Sequence, residues 1–130
     1  MKIAFKRMCG KSFLKENCIH KIELNCAVSD ISEIPEKDII SDICFPNGKQ
    51  YFITPMKYTI YIDYPLGCTV ATEAHFAKCV GELLWHAAKA YTEIYDDPEK
   101  YKIWGHHITD LYFEGINIYE SGNVELIIGS

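Results

Sequence analysis

The stretch from about Thr72 to Tyr95 constrains this chain more than any other. Phe76, Val80, Leu83, Ala87, Tyr91 and Ile94 recur at steps of three and four, which places them on one face of an α-helix. A helix of that length spans about 36 Å at 1.5 Å per residue. Thr69 or Thr72 can cap its start, and Asp96-Asp97-Pro98 stops it. Gly81 costs about 1 kcal/mol relative to Ala inside a helix, and admits a close neighbour. A helix with a single apolar stripe has to bury it against something, and the rest of the chain offers strands.

Ile22, Leu24, Cys26 and Val28 alternate with Lys21, Glu23 and Asn25, the pattern of a half-buried strand. Ile3 and Phe5 suggest a short first strand. Tyr58, Ile60, Ile62 and Tyr64 share one face of a longer one, and Pro55 breaks that run or sits at an edge or bulge. Ile39, Ile40 and Ile43 after Pro35 read as a short helix, and residues 45–48 as a turn. In the tail, Leu111 and Phe113 point one way while Ile116 and Ile118 have the opposite parity. A β-bulge at Glu114-Gly115 would restore one inward face. Residues 120–123 then turn the chain into Val124, Leu126 and Ile128. The expected fold is α+β: a mostly antiparallel sheet, one long helix packed across it and a C-terminal β-hairpin, all in a single domain over residues 1–130.

Composition sets the class. Of 130 residues, 48% are hydrophobic and 24% charged, so a packed core is expected. No run approaches the roughly 20 apolar residues of a membrane helix, and residues 1–15 lack the apolar core of a signal peptide. A cytoplasmic protein without membrane contact is the expectation. None of the six cysteines forms a C-x-x-C pair, and they read as mostly buried small hydrophobes. Five of the thirteen basic residues and none of the eighteen acids fall in residues 1–15, which leaves −10 on residues 16–130. An acidic body argues against binding a phosphate backbone.

Asp63-Tyr64-Pro65-Leu66, Ala90 to Tyr95, Tyr101-Lys102-Ile103-Trp104-Gly105-His106, then Ile108, Asp110, Leu111, Glu114, Gly115 and the closing Ile128-Gly129-Ser130 form a set. Over residues 58–130 the chain resembles an uncharacterised family of bacterial and plant proteins. That family has a small residue at the position of Lys102 and an acid at that of His107. The resemblance implies no activity and no catalytic residue.

The densest polar cluster is Trp104 to Asp110, with Glu114 behind it. His106 and Asp110 are four apart, so a helical turn would let the carboxylate orient the imidazole as a general base. Cys68, just ahead of the expected helix, could be a thiolate nucleophile completing a Cys-His-Asp set. The structural alternative has Trp104 buried under the helix near Tyr91 or Ile94, Gly105 permitting a turn, His106 bonding a backbone carbonyl and Asp110 capping the next element. Trp104, His107 and Glu114 are candidate binding residues. His75, Cys79, Glu82 and His86 fall on one helical stripe, which suits a solvated or partner-facing flank better than a metal site because one helix rarely supplies all ligands. Tyr61, Tyr112 and Tyr119 are expected on the sheet face away from the core.

No Walker loop, nucleophile elbow or His-Glu-x-x-His motif is present. The sequence therefore points to a non-enzymatic protein-binding or interaction domain, with a protein partner or a second copy of itself and no cofactor or metal. The alternative is a small hydrolase or transferase using His106 and Asp110 with Cys68 or a metal.

Overall fold

A computed structural model describes residues 5–8, 17–43 and 49–130. Ile3, Cys9, Cys44, the turn at residues 45–48 and most of the basic N-terminal arm lie outside the described residues. The architecture is α+β, with a mostly antiparallel sheet and a helix packed on it. Among the described residues the strands are β1 (Phe5–Met8), β2 (Cys18–Ala27), β3 (Phe52–Ile62), β4 (Thr69–Thr72), β5 (His75–Cys79), β6 (Tyr112–Tyr119) and β7 (Asn123–Gly129). Their order is β1-β4-β3-β7-β6-β2, with β5 paired to the first part of β3, and the β3–β7 pair is parallel. The helices are α1 (Val28–Ser32), α2 (Ile39–Asp42) and α3 (Val80–Tyr95).

The long helix is shorter than its spacing suggested. It starts at Val80 and has 16 residues, while residues 75–79 form β5. Within β5 the burial period is two: Ala77 and Cys79 are buried and Phe76 is 57% exposed. The reason is non-local. β3 offers β5 a ladder from Phe52 to Tyr58, and those bonds outweigh continuation of the helix. Thr69 and Thr72 are therefore strand residues, and Thr72 Oγ1 accepts the Ile60 N–H at 3.0 Å. The helix N-terminus is served by Gln50 instead. Its Oε1 accepts the Gly81 N–H at 3.0 Å and its Nε2 donates to the Ile43 carbonyl at 2.9 Å. A Cβ on Gly81 would stand 2.6 Å from that amide, so the close approach is to a side chain.

One face of α3 meets the sheet through Leu83, Leu84, Ala87, Tyr91 and Ile94, against Ile60, Ile62, Phe113, Ile116, Ile118 and Val124. Another meets α1 and the turn after it: the Trp85 indole donates to the Ile34 carbonyl at 2.7 Å, and Lys89 Nζ to the Ser32 carbonyl at 2.7 Å. β6 and β7 are antiparallel neighbours joined through residues 120–122, with a register irregularity between Phe113 and Gly115. That is where the parity of the apolar residues switches. A second irregularity lies between Phe52 and Met56 and brackets Pro55. Tyr112 is exposed and Tyr61 half-buried, but Tyr119 is buried. Among the described residues no helix is long and apolar enough to cross a membrane.

Candidate functional site

Three segments far apart in sequence meet at one end of the sheet. Leaving β3, the chain turns at Asp63–Leu66, where the Leu66 N–H donates to the Asp63 carbonyl at 2.9 Å and the Tyr64–Pro65 bond is cis. Tyr91, on α3, holds this turn by donating its hydroxyl to the Tyr64 carbonyl. Burial, with Asp63 nearby, pushes the Tyr91 phenol well above its usual range, so it stays a donor.

The second segment follows α3. The Gly67 N–H donates to the carbonyls of Tyr101 and Lys102, each at 3.1 Å. A Cβ on Gly67 would stand 2.7 Å from the Lys102 Cβ, so only glycine lets the two loops close up this far. Lys102 has φ 55° and Gly105 has φ 77°, both in the left-handed region. Tyr101, just before the first bend, is buried in the core, and Ile103, between the two, packs against it. Trp104 takes the opposite direction and is 73% exposed. This overturns the expectation that Trp104 lies under α3 near Tyr91 or Ile94: Tyr101 and Ile103 occupy the inward positions. The turn at Gly105 is as expected.

The third segment is the end of β7. The Tyr64 Oη lies 3.2 Å from the His106 Nε2 and 2.6 Å from the Ser130 Oγ, so one phenol ties together residues 64, 106 and 130. The Tyr95 hydroxyl donates to the His106 carbonyl at 3.3 Å. The ring centroids of Trp104 and His106 are 6.4 Å apart, and those of Tyr64 and His106 5.6 Å. Tyr64 and Ser130 were not among the candidates from sequence reading. They did lie in the stretches carrying the resemblance, and residues 63–66, 101–106 and 128–130 are the segments that meet here.

The remaining candidates fall elsewhere. Residues 108–110 form a 3-10 turn, and Asp110 Oδ2 accepts the His107 N–H at 3.2 Å. Asp110 thus serves a backbone group, and the described partner of the His106 ring is Tyr64, not Asp110. Asp110 caps the turn to which it belongs, and the His106 ring meets a hydroxyl where the structural alternative gave it a backbone carbonyl. Cys68 does not precede a helix, because α3 begins twelve residues later; its thiol is half-buried and donates to the Tyr101 carbonyl at 3.9 Å. The helix-terminus argument for a Cys68 thiolate therefore falls. His107 is exposed, and the Glu114 carboxylate lies over Gly129, where a Cβ would otherwise stand.

A second constellation lies where β5 turns into α3. His75 and His86 come together, but from a strand and a helix, with ring centroids 3.9 Å apart and planes inclined by 38°. Glu82 Oε1 accepts the Lys78 N–H at 3.0 Å and the Cys79 thiol at 3.5 Å, which supports the first helical turn. The His75 Nε2 and His86 Nδ1 are buried with no hydrogen-bond partner among the described residues. Burial, then the neighbouring His86, lowers the His75 pKa to about 4, against a backbone hydrogen bond involving Glu73 and the charge of Glu82. Burial likewise lowers His86, opposed by Glu82. Stacked planes do not aim two in-plane lone pairs at one point, and among the described residues no three His, Cys, Asp or Glu side chains are grouped to hold a metal ion.

Comparison with family models, with curated proteins and with solved structures returned no match to this chain.

Proposed function

We propose that this chain is a non-enzymatic protein-binding domain whose contact surface is centred on Trp104, with His106, Tyr64, His107 and Glu114 around it. One observation carries the reading: a tryptophan 73% exposed on a loop clamped to the body on both sides. Tryptophan is among the residues most enriched at binding hot spots, because it brings large contact area with few rotors to freeze. A loop already held in place also loses little entropy on association. The free cysteines among the described residues, Cys18, Cys26, Cys68 and Cys79, are in keeping with a cytoplasmic location. The partner is another protein or a second copy of the chain.

The test is capture of partners on immobilised wild-type protein and on Trp104→Ala, with circular dichroism showing both folded. Loss of a specific partner from the variant is the expected result; identical capture on both would remove the reading. A small hydrolase or transferase is the second reading, favoured by the Ser130–Tyr64–His106 hydrogen-bonded chain. It predicts ester hydrolysis by the wild type that His106→Ala abolishes.

A further inference from the structure

We propose that β2 pairs edge to edge with β2 of a second copy of this chain, antiparallel and about a two-fold axis at Ile22. The proposal is independent of Trp104 and gives the chain a second contact surface. β2 has ten residues, and among the described residues β6 is its one neighbour in the sheet. No described backbone bond beyond that ladder involves residues 18–26, and the Cys18 thiol, 3.3 Å from the His20 carbonyl, is a weak donor. The N–H and C=O groups facing away from β6 are a template for another strand. Among the described residues the opposite edge, β1, has four.

Burial points to a missing neighbour at the same edge. Ile22 and Cys26 pack against the core but are half-buried, while their cross-strand partners on β6, Ile116 and Phe113, are fully buried. A further strand would cover the exposed flank of Ile22, Leu24 and Cys26.

Charge selects the occupant and its register. Lys21 and Glu23 are exposed on the other face of the sheet, and their β6 partners, Asn117 and Gly115, are uncharged. Side chains alternate along a strand, so two β2 strands keep their apolar residues together only when centred on a residue, not between two. A centre at Lys21 or at Glu23 sets a like charge against itself. One at His20 or Leu24 leaves both charges facing neutral residues. A centre at Ile22 sets Lys21 against Glu23 of the second copy, twice, and Ile22 against Ile22. The regular stretch between the two register irregularities of β2, residues 20–23, is short, so the dimer is weak. The net charge of −5 repels two copies at long range, and at about 0.15 M salt that repulsion is screened beyond about 8 Å.

The experiment is sedimentation of the intact protein at physiological salt from about 10 μM to about 1 mM, the span of weak association. A monomer–dimer equilibrium is expected, with the amides of residues 20–24 exchanging more slowly at the higher concentration. Lys21→Glu and Glu23→Lys should each weaken the dimer about 10-fold, since each sets two pairs of like charges opposite one another. The double variant should restore it to within about 2-fold. Trp104→Ala should leave it unchanged. A monomer throughout the range overturns the proposal, as does a dimer indifferent to both charge reversals. A dimer that Trp104→Ala abolishes also overturns it, and moves the interface to the loop after α3. If circular dichroism shows a reversal variant unfolded, exchange in the wild type decides: β2 amides no better protected at high concentration would sink the pairing.

Discussion

Trp85 and Trp104 are the chain's two indoles, and their surroundings differ in almost every respect. Trp85 is 4% exposed on α3, donates its N–H to the Ile34 carbonyl and lies against Lys89. Trp104 is 73% exposed on a loop whose backbone, not its side chain, makes the contacts. At Trp85 the backbone is an ordinary helix and packing spends the aromatic area on stability. At Trp104 two left-handed residues hold the backbone so that the aromatic area stays outside. A side chain's contribution to the fold depends on what its backbone aims it at, not on its size.

The largest expected effect breaks the first half of this contrast. Trp85→Ala should cost about 3–5 kcal/mol, the range for a large aromatic removed from a core, read as a lower denaturant midpoint. A loss below about 1 kcal/mol would mean that the contact with α1 contributes little. Next comes the His75–His86 stack beside Trp85, whose His75 pKa is held near 4 in the fold against 6.5 unfolded. The unfolded chain therefore binds the proton first. The stability that neutral His75 contributes is complete above about pH 6.5 and is lost as pH falls toward 4. Because the ring is partly exposed, about 1–2 kcal/mol is a fair size after solvent screening. Between pH 6.5 and 5, above the range of ordinary carboxylates, His75→Phe should flatten the slope; an unchanged slope would assign it to other groups.

The smaller effects sharpen the other half. Gly105→Ala meets no atoms within 4 Å but must hold φ near 77°, so about 1 kcal/mol should be lost to backbone strain alone. It should also change the Trp104 emission, because the bend that turns the indole outward is altered. Smallest of all, Trp104→Ala should shift stability by no more than about 0.5 kcal/mol, as for other surface changes. A melting temperature lowered by many degrees would show that Trp104 packs against the body in solution and would weaken its candidacy as a contact residue.

Local pattern sufficed wherever one segment's own residues decide the outcome. The bulge near Glu114-Gly115 is legible because the inward residues change parity there and a strand can only repair that by inserting a residue. The end of α3 at Tyr95 is legible because Asp96-Asp97-Pro98 cannot continue it. The inward set Tyr58, Ile60 and Ile62 follows from strict alternation. The start of α3 was not legible: Phe76 and Val80 fit a helical stripe as well as Ala77 and Cys79 fit a strand. The choice fell to β3, whose ladder partners lie some twenty residues earlier. The direction of Trp104 depended on Tyr101 and Ile103 filling the inward space first. The partner of His106 was Tyr64, 42 positions away, and that of Tyr64 was Ser130, 66 positions away. Periodicity carries information over a few residues, whereas these contacts are closed by the sheet, which places the exit of β3 beside the end of β7 and the loop after α3.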